Sequence, residues 1–332
     1  MNEGNLIDGF ARRINYLRLS LTDRCNLRCT YCMPERMEFL PRKDLLSLDE
    51  LELLATHFVA RGIRRIRLTG GEPLVRRGAM DLVERLGALV GSGLDELTLT
   101  TNGTMLAEHA EALAAAGVRR VNVSLDTLDA DRFARLTRGG DLWQVLDGIA
   151  IARRAGLSLR INTVALKSGN RHDLPDMVRW AHGQGFDLAL IEIMPLGETG
   201  EDRFDQYLPL STVREELEAE FGLFAIDHRT AGPARYMRSA ATGGRIGFIT
   251  PLSENFCGSC NRIRVTATGQ LYPCLGDAGR VDLRAALRSE DPARIHAALD
   301  MAMRTKPERH DFSITAPGQA PAQARTMSVT GG

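Results

Sequence analysis

The chain has 332 residues, 44% hydrophobic and 25% charged, which is ordinary for a soluble globular protein and enough to bury a sizeable core. Its 42 basic residues balance its 42 acidic ones, so no global field draws it to nucleic acid or an anionic membrane, and any bound anion needs a local cluster. The start lacks an apolar leader and no run of about 18 apolar residues occurs, while six cysteines in two sets of three are too few for a disulfide scaffold; the chain reads as cytoplasmic.

An apolar run from Ile14 to Leu21 predicts a first strand, and directly after it stand Cys25, Cys29 and Cys32 in a CxxxCxxC spacing. Thiolates are the usual ligands of iron-sulfur clusters, and a cubane held by three of them leaves one iron open for chemistry. A structural zinc site wants four closed ligands, and no His or fourth Cys lies nearby.

Ser47, with Glu50 three residues on, opens a helix over Leu51 to Ala60. The alternation of Arg64 to Thr69 predicts the next strand, and the cycle repeats. Helices are expected over Ala79 to Val90, Met105 to Ala116, Trp143 to Ala155 and Pro175 to Gln184; strands over Glu96 to Thr100, Arg120 to Ser124, Leu157 to Val164 and Leu188 to Ile193. Six consecutive strand-helix units imply parallel strands with helical crossovers, too few for a closed eight-stranded barrel; an open doubly wound sheet is the other arrangement they allow. From about residue 222 the rhythm changes to short strands at Phe224 to Ile226, Ile246 to Ile249, Arg262 to Thr266 and Gln270 to Cys274, then short helices. The expected division is 1–221, a smaller region over 222–305 carrying Cys257, Cys260 and Cys274, and an irregular tail over 306–332 rich in Pro, Ala, Gln and Gly.

In folds of this kind the chemistry collects at the carboxyl ends of the strands. The second strand ends in Thr69-Gly70-Gly71-Glu72-Pro73, neither a P-loop nor a dinucleotide fingerprint, whose adjacent glycines let the backbone approach a ligand. The third ends in Thr100-Thr101-Asn102-Gly103, the fourth in Ser124-Leu125-Asp126, the sixth in Glu192-Ile193-Met194-Pro195. Arg262 and Arg264, two apart on a predicted strand, leave one face, and guanidinium groups match phosphate oxygens in a bidentate way.

CxxxCxxC with an aromatic, Tyr31, before the third Cys resembles the signature of radical S-adenosylmethionine (radical SAM) enzymes. The resemblance implies an incomplete, open six-stranded TIM-like barrel. It also implies a 4Fe-4S cluster on Cys25, Cys29 and Cys32 whose open iron chelates SAM and, once reduced, splits it to methionine and a 5′-deoxyadenosyl radical. Cys257-Gly258-Ser259-Cys260-Asn261-Arg262-Ile263-Arg264, followed by the lone Cys274, resembles the GTP 3′,8-cyclases of molybdenum cofactor biosynthesis. This second resemblance implies another 4Fe-4S cluster on Cys257, Cys260 and Cys274, at which guanine binds. It implies SAM contacts at Tyr31, Gly71, Ser124 and Met194, and GTP contacts at Arg18, Arg67, Thr100, Arg160 (often Lys in the family), Arg262, Ile263 and Arg264. It further implies a tail whose last residues, Gly331 and Gly332, reach the active site. The partners it implies are GTP, a flavodoxin- or ferredoxin-type electron donor, cyclic pyranopterin monophosphate synthase downstream, and a second copy in a homodimer. Two other readings share some of these features. One is a peptide- or RNA-modifying radical SAM enzyme; the other is a zinc-bearing nucleotide-binding module in which His228 or His296 completes the second cysteine set.

Overall fold

Strand-helix alternation produces a parallel core. In the computed structural model, which describes residues 4–289 and 291–331, β1 (Tyr16–Ser20), β2 (Arg65–Thr69), β3 (Glu96–Thr101), β4 (Arg120–Ser124), β5 (Ser158–Ala165) and β6 (Asp187–Glu192) lie side by side in chain order, every neighbouring pair parallel. The crossovers carry α1 (Leu48–Ala60), α2 (Ala79–Gly87), α3 (Leu106–Ala115), α4 (Ala130–Thr137), α5 (Leu142–Arg154) and α6 (Leu174–Gly183). The first crossover helix starts as its capping box dictates: Glu50 N–H donates to Ser47 Oγ at 3.0 Å and Ser47 N–H to Glu50 Oε2 at 2.7 Å. Helix α4 is absent from the sequence reading because its eight residues bury only Phe133, Leu136 and Thr137, too short a stripe for periodicity; the Asp129 cap is its clearest sequence sign.

Six further strands follow: β7 (Leu223–Ala225), β8 (Arg235–Ser239), β9 (Arg245–Ile249), β10 (Arg262–Val265), β11 (Gln270–Tyr272) and β12 (Val281–Asp282). They extend the same sheet at both edges. Strand β9 pairs parallel with β6, and β10 parallel with β1; β8 and β7 then continue one edge antiparallel, β11 and β12 the other. The six units expected from the sequence are thus the middle of one open sheet of twelve described strands.

Alternation along the strands divides the two faces. Leu17, Leu19, Ile66, Leu68, Leu97, Leu99, Val121, Val123, Ile161, Leu188 and Leu190 turn to the helices and form the main core. Arg18, Arg67, Thr100, Ser124, Arg160 and Asn162 turn the other way and line cavities. Strands β1 and β6 share a cavity although a flat sheet would hold them about 24 Å apart, five spacings of about 4.8 Å, so the sheet curls around it. No helix among the described residues is long and apolar enough to cross a membrane.

Candidate active site

Two adjoining cavities, of about 1100 and 980 Å³ measured to their open mouths, occupy the curl and share Asn162, Ile191 and Met194 as lining. The first lies at the carboxyl ends of the strands. It is lined by all three cysteines that follow β1, with Tyr31, Gly71, Thr100, Ser124 and Met194. The second holds the arginines and the other three cysteines.

The turn after β2 is welded to the cysteine segment. Gly71 N–H donates to Thr22 O and Glu72 N–H to Arg24 O, both at 2.8 Å. A Cβ on Gly70, which stands at φ 143°, would lie 2.3 Å from Thr22 O, and one on Gly71 2.3 Å from Arg24 O. The paired glycines therefore admit the loop that leads to Cys25 as well as facing the cavity. Glu72, fully buried, accepts from Leu74 N–H at 3.1 Å, the Thr101 hydroxyl at 2.9 Å and Asn102 N–H at 2.6 Å, locking the ends of β2 and β3 together. Burial outweighs those three donors and pushes its carboxyl up to about 7.

Burial acts on the thiols in the same direction: Cys25 and Cys29 are raised, and Cys32 is pushed up to about 12. Cys25 Sγ nevertheless accepts from Leu27 N–H at 3.4 Å and Asn102 Nδ2 at 3.6 Å, contacts that favour a thiolate. Three such sulfurs want a cationic partner. They line one cavity, and three thiols are a donor set that suits an iron-sulfur cluster with one iron left open. Thr69 Oγ1, Thr100 Oγ1 and Asn162 Oδ1 are buried in the cavity wall with no hydrogen-bond partner among the described residues, polar positions that suit a bound molecule. Tyr31 donates its hydroxyl to Asp126 Oδ2 at 2.6 Å, and Val164 N–H donates to Asp126 Oδ1 at 2.8 Å; burial pushes that carboxyl up to about 6 despite both donors.

The arginines form a row. Arg18 on β1 is in register with Arg264 on β10 and with Arg67 on β2, so three guanidinium groups from distant sequence positions leave adjacent strands on one face. Arg160 and Arg262 line the same cavity, and among the described residues no Asp or Glu does. Burial first, and the neighbouring arginines next, hold Arg18 well below the usual range and Arg264 down to about 9; Arg67 falls to about 10, chiefly by burial. Crowded buried cations favour an anion among them. Arg67 donates to Thr98 Oγ1 at 3.4 Å, Arg160 to the Tyr236 hydroxyl at 3.1 Å and Arg264 to Gly331 O at 3.3 Å, all neutral acceptors.

Because β10 is parallel to β1 and Cys260 precedes it, the second cysteine set lies at the opposite end of the sheet from the first, with the arginine row between. The antiparallel hairpin of β10 and β11 returns the chain so that Cys274 joins Cys257 and Cys260 in the lining of the second cavity. Burial acts upward on Cys260, but Arg262 and Lys306 outweigh it and bring the thiol down to about 7. Neither histidine considered for a zinc site lines this cavity: His296 meets His57 at 3.4 Å and His228 stacks edge-on against Tyr236. His310 does line it, a residue missed because a lone His in a polar tail carries no pattern.

Ile263 turns its side chain into the main core, which leaves only its main chain for a ligand. Thr100 lines the first cavity and not the arginine cavity. The tail returns to the site: Met327 and Ser328 line the first cavity, and Gly331, at φ 75°, sits so close to β2 that a Cβ there would lie 2.0 Å from Thr69 Oγ1. Gly332 lies outside the described residues.

Residues 19–181 match the radical SAM superfamily and residues 186–312 match the family described as Molybdenum Cofactor Synthesis C. The chain is 64% identical over 333 residues to a GTP 3′,8-cyclase of Erythrobacter litoralis, covering all of both chains. It is 59% identical over 328 residues to a GTP 3′,8-cyclase of Rhizobium leguminosarum bv. trifolii, covering 98% of this chain and 94% of that one. Among solved structures it resembles Streptococcus suis SuiB bound to S-adenosylmethionine, with TM-score 0.64 at 14% identity over 88% of this chain and 68% of that one. It also resembles native anSMEcpe with bound AdoMet, with TM-score 0.58 at 17% identity over 87% of this chain and 84% of that one; at such identities the likeness concerns the fold.

Proposed function

From the premise that the chain belongs to the GTP 3′,8-cyclases, radical SAM enzymes of molybdenum cofactor synthesis, we infer how its residues divide the work. The reaction converts GTP to (8S)-3′,8-cyclo-7,8-dihydroguanosine 5′-triphosphate. In our reading Cys25, Cys29 and Cys32 hold one 4Fe-4S cluster and Cys257, Cys260 and Cys274 a second. When bound, the first cluster and SAM supply the 5′-deoxyadenosyl radical that removes the ribose 3′ hydrogen, after which C3′ bonds to guanine C8.

The protein's own part is to bind, orient and enclose. Tyr31, Gly71, Ser124 and Met194 receive SAM in the first cavity, with the unpartnered Thr100 and Asn162 oxygens beside it. Arg18, Arg67, Arg160, Arg262 and Arg264 take the triphosphate, with the Ile263 main chain between the last two. The observation that carries this reading is the row of buried arginines standing between two sets of three cysteines. A nucleoside triphosphate held by the row presents its ribose toward the first cavity and its base toward the second triad, and fixing the reacting groups in one geometry makes the closure intramolecular. Gly331 at the end of β2 and the tail before it wall the first cavity from water. A flavodoxin- or ferredoxin-type donor supplies two electrons, one to cleave SAM and one, with a proton, to reduce the ring radical left by C3′–C8 bond formation; a cyclic pyranopterin monophosphate synthase takes the product, and the enzyme works in the cytoplasm, as a homodimer.

The test is an anaerobic assay of reconstituted protein with SAM, reductant and GTP, reading 5′-deoxyadenosine and cyclised nucleotide together, beside Cys274→Ala. Wild type is expected to form both and the variant to lose the nucleotide product. Formation of 5′-deoxyadenosine by wild type with GTP unchanged would overturn the substrate assignment and leave the SAM half standing.

A further inference from the structure

The chain has only three lysines, Lys43, Lys167 and Lys306, in a composition where arginine supplies nearly all positive charge. Lys306 is the buried one, 3% exposed. It caps the C-terminus of the helix Pro292–Thr305 and points its Nζ into the fork of the β10 and β11 hairpin. There Nζ donates to Pro273 O at 2.6 Å and Arg262 O at 3.1 Å, and stands 3.8 Å from Cys260 Sγ. All three neighbours are acceptors, which is the environment of an ammonium, a group with three donors and no acceptor.

The two carbonyls bracket the cysteine set, one adjacent to Cys274 and the other two residues after Cys260. Arg12 closes the same corner from outside: Nη1 donates to Cys257 O at 2.8 Å and Glu308 O at 2.6 Å, and Nη2 to Pro307 O at 2.6 Å. Thus each segment that bears one of these cysteines is tied to the stretch beginning at Lys306. The two cations differ in one respect. Arg12 is paired with Asp8 at 2.6 Å, whereas among the described residues no carboxylate forms an ion pair with Lys306. Asp8 acts on Lys306 from a distance, but Arg12 already engages it, so the buried ammonium touches carbonyls and a thiol and has no anion in contact among the described residues. Three thiolates on a cubane core of charge 2+ leave a net charge of about −1, the partner that is missing.

We propose that Lys306 is a positioning residue of the second cluster, compensating its negative charge and raising its reduction potential through the contact with Cys260 Sγ while bracing both ligand segments. The proposal rests on the reading that Cys257, Cys260 and Cys274 hold a cluster, and the experiment separates the two. Full-length protein in which Cys25, Cys29 and Cys32 are replaced by Ala is reconstituted anaerobically, its iron counted, and its cluster titrated against potential by electron paramagnetic resonance. Loading of about four irons per chain supports the second cluster; its absence there, with about four and not about eight in the wild type, removes that reading itself.

In the loaded background, Lys306→Gln keeps a donor for Pro273 O and drops the charge, and Lys306→Arg keeps the charge. Gln is expected to shift the oxidised-to-reduced ratio at fixed potential about tenfold toward oxidised, a midpoint lower by about 59 mV for one electron, while Arg stays within about twofold of the parent. If Gln strips the iron and Arg retains it, charge is again what the site requires. The proposal is overturned if Gln loads fully with an unchanged midpoint, or if Arg and Gln lose iron or potential alike.

Discussion

Under the proposed function, Arg67 serves binding at the expense of the fold. It is buried, held over the Tyr16 ring at 5.4 Å, in register with Arg18, and among the described residues pairs with no carboxylate, Glu96 acting on it only from a distance. Desolvation and like charge both work against its ionised form, and a bound triphosphate reverses both effects. Replacing Arg67 with Met should therefore raise KM for GTP about tenfold or more, the loss of about 1.4 kcal/mol of binding. The same change should raise the melting temperature of the nucleotide-free protein by about 2 °C, because one of several mutually repelling buried cations is gone. Calorimetry without nucleotide and steady-state kinetics with it check the two halves; a fall in both would mean that Arg67 is structural. In the sequence this residue is one arginine among many, and only its place before Thr69-Gly70-Gly71 marks it.

At the scale of elements, the ends of β2 and β3 act as one piece because Glu72 joins them. Its folded-state carboxyl, pushed up to about 7 mainly by burial, exceeds the ordinary value of 4.5. The sign follows from linkage. As pH rises from about 4.5 to about 7 the unfolded chain ionises first, the folded protein holds the extra proton, and stability falls across that window. Glu72→Gln removes the effect, so in urea unfolding of metal-free protein the variant should gain on the wild type by up to about 3 kcal/mol between pH 4.5 and 7.5. Parallel curves at both pH values would show that Glu72 titrates normally. Local chemistry makes such elements readable: the Ser47 and Glu50 cap and the strand alternation place α1 and β2 to within a few residues, since caps and periodicity act over a handful of positions.

For the whole molecule the decisive feature is closure of the chain on itself. Met327 and Ser328 form part of the wall of the cavity that the residues after β1 open, and Gly331 O accepts from Arg264. Deleting residues 327–332 should open that wall to water and separate SAM cleavage from nucleotide conversion. The expected result is a rise of about tenfold or more in 5′-deoxyadenosine formed per cyclised nucleotide, equivalent to about 1.4 kcal/mol of lost commitment, read by chromatography of both products. An unchanged ratio would show that the tail does not enclose the reaction. The spacing of the two cysteine sets, the alternation of strand and helix and the glycine turn were determined by the sequence itself, because residue spacing and backbone period are local properties. What only the tertiary structure decided is the register that sets Arg264, Arg18 and Arg67 in one row, and the parallel pairing of β10 with β1 that puts the triads at opposite ends. The same holds for the burial of Lys306 in the hairpin fork. These depend on contacts between residues far apart in the chain, and no periodicity within a single segment encodes which distant strand will lie beside it.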